Sequence, residues 1–158
     1  MLIEIVPLTI AFFRDRRSCY YYLSAMCTMW FVMNAAKIWY GDARPFWISG
    51  EVWAYKCSLG YGNPSGHSLM TIGMALLLAL DYQKEGRVKQ VAIAAAIFFG
   101  LLTAYTRVIL GVHSNDQVIF GLSIGTWLAF AFEYQFKGSI YAMIDKLDAR
   151  GIKMNLFV

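Results

Sequence analysis

Charge is the scarcest resource in this chain: Asp, Glu, Lys and Arg together make up 15% of its 158 residues, against roughly a quarter in a soluble domain. Cysteine is sparse too. Cys19, Cys27 and Cys57 form no CxxC pair, which excludes a disulfide framework and leaves too few thiols for a zinc site. No internal repeat or low-complexity segment is present, and no basic stripe gathers the net charge of +4. A nucleic-acid surface is thereby excluded, whereas scattered basic residues suit anionic lipid head groups. What the chain has is apolar surface: 59% hydrophobic and 16% aromatic residues, with a mean hydropathy of +0.50. Disorder and fibrous structure are ruled out, and the implied solvent is largely lipid.

One domain fits this length, and about 20 residues per crossing allow four or five spans. Four charge-poor stretches present themselves: Ser18–Ala36, Ser68–Leu80, Gln90–Thr106 and Val118–Phe132. The expected architecture is an all-α polytopic transmembrane bundle with about four full spans. Met1–Phe13 is apolar but short and carries Pro7, so it is expected as a short interfacial or partial helix. A secretory signal is not expected, because Arg14, Arg16 and Arg17 follow the apolar run instead of preceding it. Near the other end Ile140, Met143, Ile144 and Leu147 share one helical face, with Asp145, Lys146, Asp148 and Arg150 off that stripe and Gly151 as a stop. An amphipathic surface helix is expected there.

Four spans sort the loops onto two sides. Arg14, Arg16, Arg17, Lys84, Arg87, Lys89, Lys137, Lys146, Arg150 and Lys153 fall on one side, ten of the fourteen Lys and Arg. Lys37, Arg44, Lys56 and Arg107 fall on the other. The first side is cytoplasmic by the positive-inside rule. The second side nevertheless collects almost every residue capable of chemistry, including both histidines, His67 and His113.

Those residues outline an oxyanion pocket. Lys37, Arg44 and Arg107 supply charge, and the arginines supply planar forks for phosphate oxygens. Asn63 is expected as an N-cap with Pro64 at the first helical position, which directs the amides of Ser65, Gly66 and His67 at an anion. Glycine at 66 lets a ligand approach the backbone. Two imidazoles beside such a pocket provide a nucleophile and an acid for the leaving oxygen. Each element has an ordinary meaning on its own: snorkelling anchors, a turn, a helix start, capping by His113 or Asp116. Those meanings do not explain why all of them share one face. Three neighbouring cations also oppose a two-histidine metal site, so no cofactor is expected.

Three motifs then appear in order: Lys37 and Arg44-Pro45 separated by six residues; Pro64-Ser65-Gly66-His67; and Thr106-Arg107, five residues, His113, three residues, Gln117. Over about residues 30–125 the chain resembles the type-2 phosphatidic acid phosphatase superfamily, which includes lipid phosphate phosphatases and vanadium haloperoxidases. The resemblance implies one membrane-embedded phosphatase-like domain over 1–158. It would remove phosphate from a lipid phosphate without metal, through a phosphohistidine on His113. His67 would protonate the leaving oxygen, while Lys37, Arg44, Ser65, Gly66 and Arg107 bind the phosphoryl group.

Three departures accompany it. Thr106 replaces a serine. Gln117 replaces the aspartate that orients the nucleophile, as in the glucose-6-phosphatase branch, and an amide fixes a tautomer without stabilising imidazolium. Asp116 points about 100° away on a helix. Only one full span precedes Lys37 where membrane members usually have three, so the chain is expected to be reduced, incomplete at its N-terminus or covered by neighbouring subunits. A second reading therefore stands beside the enzyme: a phosphatase-like structural subunit of a larger membrane assembly. The organelle and the head group are left open.

Overall fold

The computed structural model describes Thr9 and residues 15–55, 59–82 and 86–150. The expected Met1–Phe13 helix, Arg14, Lys56, Cys57, Lys84, Gly151 and Lys153 lie outside the described residues, apart from Thr9. In chain order the elements are α1 (Arg16–Tyr40), α2 (Pro45–Ile48), α3 (Gly66–Asp81), α4 (Arg87–Ile109), α5 (Asn115–Ala131), a π-helical turn (Phe132–Phe136) and α6 (Lys137–Ala149). The described residues contain no strand. Local chemistry sets the ends of α1. The Asp15 carboxylate accepts from the Ser18 amide at 2.8 Å and from its hydroxyl at 2.7 Å. At the other end Gly41 takes the left-handed conformation (φ 59°) and donates its N–H to the Lys37 carbonyl.

Helix α3 forms the axis. Twelve of its sixteen residues are buried, because α1, α4 and α5 all pack on it. A helix apolar on every side suits that position. Two glycines set the α3–α5 approach. A Cβ on Gly121 would lie 2.6 Å from the Ser65 carbonyl oxygen, and one on Gly125 would strike the Leu69 carbonyl. The pair is a small-xxx-small stripe that brings two backbones together where lipid supplies no hydrophobic drive. Helix α4 is the opposite case. It buries only Ala96, Gly100 and Ala104, one stripe at four-residue spacing, and leaves Phe98, Leu101 and Tyr105 exposed. Among the described residues it is the one helix that is long and apolar enough by itself to cross a membrane.

The far end of the bundle carries a polar knot. Buried Asp81 accepts from Tyr22 Oη at 2.8 Å and pairs with Lys137 Nζ at 2.6 Å, and Lys137 also reaches Glu133 at 2.7 Å. The expected C-terminal helix is α6, largely exposed, with Ile144 its one buried residue. The π turn carries α5 into α6 without a break, and the Ile140/Met143/Ile144/Leu147 stripe faces Tyr20, Leu23 and Cys27 of α1. Arg16–Asp148 and Arg17–Asp145 ion pairs fasten the two helices along the rim. A cavity of about 300 Å³ separates part of the stripe from α1, and Met143 stays exposed.

Candidate active site

Three chain segments converge at the end of the bundle opposite this knot. After α4, Gly111 adopts φ 67°, and a Cβ there would stand 2.7 Å from the Trp53 carbonyl oxygen. Only glycine fits that bend, and it delivers Val112 and His113 back over α3. The start of α3 is fixed by α5: the Ser65 N–H donates to the Gln117 carbonyl at 2.9 Å, directly above the Gly121 contact. Arg44 leads α2 and is 5% exposed.

The helix begins later than the motif suggests. Ser65 is the N-cap residue and Gly66 the first helical one, so Asn63 and Pro64, joined by a cis peptide bond, precede the cap. The Ser65 amide is committed to Gln117 and its hydroxyl accepts from Ser68 at 3.0 Å. First-turn amides from Gly66 onward remain at the positive end of the helix. The nearest atom to a Cβ on Gly66 would be Met33 Sδ, so α1 approaches this glycine as closely as a ligand would.

A cavity of about 410 Å³ lies in front. Lys37, Arg44, Gly66, His67, Arg107 and His113 line it, and Trp30, Met33 and Met70 supply an apolar wall. The three cations thus surround one space shared by both histidines. Ser65 and Gln117 sit behind it. Thr106 turns its hydroxyl onto the Thr103 carbonyl (2.7 Å), and Asp116 is exposed on the far side of Gln117. The cations differ in commitment. Arg44 donates from Nε to Gly60 O and from Nη1 to Val112 O, both at 2.8 Å, and reaches Tyr61 O through Nη2 at 3.4 Å. Lys37 Nζ donates to the same Tyr61 carbonyl at 2.7 Å. Arg107 Nε, by contrast, is buried with no partner, an orphan donor that an anion in the cavity would satisfy.

His113 is 4% exposed and its tautomer follows from its neighbours. Arg44 Nη1 stands 3.2 Å from Nε2 and can only donate, so Nε2 holds the lone pair. The proton is then on Nδ1, which donates to Gln117 Oε1 at 3.1 Å. Gln117 Nε2 donates in turn to the Ala43 carbonyl at 2.9 Å. Burial first, and then the Arg44 charge, push the imidazole from its usual range down to about 4, with the Gln117 and Gly62 hydrogen bonds opposing and Lys37 adding a smaller downward push. His113 is therefore neutral at pH 7. A neutral imidazole can act as a nucleophile once its lone pair, here accepting from Arg44, is released to a substrate.

The motifs do not mark Asn34, which also lines the cavity. Its signal is helical spacing: Trp30, Asn34 and Lys37 fall at i, i+4 and i+7 on one face of α1. The Gly121/Gly125 pair likewise had a legible four-residue spacing.

Residues 18–141 match the PAP2 superfamily. Dolichyldiphosphatase 1 of Dictyostelium discoideum is 27% identical, over 90% of this chain and 67% of that protein. The fold is also similar to the crystal structure of a transmembrane PAP2-type phosphatidylglycerolphosphate phosphatase from Bacillus subtilis. The two superpose with a TM-score of 0.71 at 24% identity, covering 88% of this chain and 68% of that one. With its three motifs gathered at one end of this helical fold, the chain belongs to the PAP2 superfamily and is a PAP2-type phosphatase.

Proposed function

We propose that this chain is a single membrane-embedded, four-span, metal-independent hydrolase of lipid phosphates, acting through a phosphohistidine on His113 at the non-cytoplasmic face. The observation that carries this reading is the neutral His113, its Nε2 lone pair accepting from Arg44, beside a cavity ringed by Lys37, Arg44 and Arg107. Arg44 Nη1 shifts from Nε2 to a phosphoryl oxygen, Nε2 attacks phosphorus, forming the N–P bond as the P–O ester bond breaks, and His67 gives its proton to the departing alcohol oxygen. Water then attacks the phosphohistidine, the N–P bond breaks, and His67 takes the water's proton. The three cations hold the equatorial oxygens, and this positioning and charge stabilisation supply most of the catalysis. Ser65 supports from behind by fixing the start of α3. The same cations disfavour a divalent metal. The apolar wall of Trp30, Met33 and Met70 suits the chain of a lipid substrate.

The face and the span count rest on the Lys/Arg bias and on the positions of α1, α3, α4 and α5. Release of phosphate from a short-chain phosphatidate in EDTA, by purified protein, tests the reaction. Native protein is expected to turn over and His113→Ala to be inactive while unfolding at a similar temperature. Full activity in His113→Ala, or loss of native activity in EDTA, contradicts the mechanism. Failure of the native protein on every lipid phosphate offered leaves the other reading, a phosphatase-like subunit that needs membrane partners.

A further inference from the structure

The amide of Gln117 lies in a slot whose walls are backbone. On one edge is the Ala43 carbonyl, 2.9 Å from Nε2. On its face is Gly62, buried, where a Cβ would lie 2.5 Å from both Nε2 and Oε1 and 2.7 Å from Cδ. The Gly62 backbone does not need glycine for its conformation, since its φ is not among the positive ones; it needs glycine for space. The two walls are held to each other: Gly62 N–H donates to the Asp42 carbonyl at 2.8 Å, and Asn63 Nδ2 donates to the Asp42 carboxylate at 2.7 Å.

An amide has two ends, and only one orientation works in this slot. Turned over, Gln117 would set its oxygen against the Ala43 oxygen and its NH2 against His113 Nδ1. The imidazole would then need its proton on Nε2, facing the Arg44 donor. A carboxylate has no such choice to make, because both of its oxygens accept. We propose that Gly62 is a positioning residue for His113: its missing side chain and the Ala43 carbonyl form a slot that holds the Gln117 amide in the one orientation that keeps the proton on Nδ1 and the lone pair on Nε2. This rests on His113 as the nucleophile, yet its first readout is independent of turnover.

Protein labelled with 15N-histidine, with His113 assigned by its loss in His113→Ala, reports both ring nitrogens by NMR. Native protein at pH 7 is expected to show a protonated Nδ1 and an unprotonated Nε2. In Gly62→Ala the displaced amide no longer supports Arg44 in holding the proton on Nδ1, so the Nε2–H tautomer becomes detectable, and kcat falls by ~10-fold or more with KM little changed, as wrong-tautomer variants of other enzymes do. Gln117→Asn draws the amide back by one methylene, so its loss and that of Gly62→Ala should not add in the double variant. Gln117→Met keeps the length and removes the amide, and it should also mix the tautomers even if Gly62→Ala folds poorly. A single Nδ1–H tautomer in both Gly62→Ala and Gln117→Met, or strictly additive losses, overturns the proposal. Activity surviving in His113→Ala would instead strike the nucleophile reading and leave the tautomer result standing.

Discussion

Arg44 and Arg107 carry the same charge into the same cavity but are built in differently. Arg44 holds three carbonyls, of which that of Val112 is buried, so Arg44→Ala leaves one buried acceptor unpaired at about 1–3 kcal/mol. It should lower both the unfolding midpoint and the rate. Arg107 holds an unpartnered buried Nε, so Arg107→Ala should cost little stability, or none, while lowering kcat/KM by ~100-fold or more, as removal of an oxyanion donor does. Thermal melts beside initial rates check the contrast; equal losses of stability in both would refute it. The cations and histidines themselves were legible in the sequence, because spacing and helix-end placement marked them. Which cation is a tie and which is free was not legible, since that depends on where the Gly60, Tyr61 and Val112 carbonyls point.

His113 also sets a pH dependence. Its folded pKa of about 4 lies below the ordinary 6.5, so the nucleophilic neutral form persists on acidification. Its limb in the kcat/KM profile, which reports the free enzyme, is expected near pH 4; a His113 limb at 6.5 would contradict the burial argument. The sign for stability follows. Between pH 6.5 and 4 the unfolded chain binds this proton and the folded one does not, so stability rises with pH across that window. The contribution is complete above 6.5 and is lost toward 4, and subtracting the same titration of His113→Gln isolates it.

At the scale of elements, α3 and α5 depend on closeness. Gly125→Ala drives a methyl into the Leu69 carbonyl, which has no side-chain freedom with which to yield, and should destabilise by about 1–3 kcal/mol. Gly138 in α6 has nothing within 4 Å of its would-be Cβ. Gly138→Ala should be neutral or stabilising by up to ~1 kcal/mol, and unfolding midpoints of the pair measure the difference. The helices emerged in the sequence as charge-free runs, and their cores agree with α1, α3, α4 and α5. Their ends did not: the cap at Ser65 instead of Asn63 reflects the Ser65–Gln117 bond, a long-range partner invisible to local propensity. The C-terminal stripe Ile140/Met143/Ile144/Leu147 was correct as a pattern, but a one-face pattern does not say whether membrane or protein covers it. Here Ile144 is buried while Met143 is exposed, and the Arg16–Asp148 and Arg17–Asp145 ion pairs join the helices at the rim.

For the whole molecule, the proposed topology puts Glu51 and Arg87, both exposed, on opposite sides of the membrane. Single cysteines at these positions, in a background without Cys19, Cys27 and Cys57, should react with an impermeant reagent from opposite faces of sealed vesicles; labelling of both from one face would refute the four-span scheme. The Tyr22–Asp81 bond at one end carries a further consequence. From Tyr22 to Lys37 along α1 is 37 − 22 = 15 residues, and from Asp81 back to Gly66 along α3 is 81 − 66 = 15. At 1.5 Å per residue both spans measure about 22 Å. The two helices therefore have matched lengths between that hydrogen bond and the residues, Lys37 and Gly66, that they bring to one cavity. One residue inserted between Tyr22 and Lys37 would lift Lys37 by about 1.5 Å and swing it by roughly 100°, off the cavity, with every motif residue still present. Activity lost on insertion, and regained on deleting a residue between the insertion and Lys37, would show that the distance to the opposite end of the bundle is itself part of the active site.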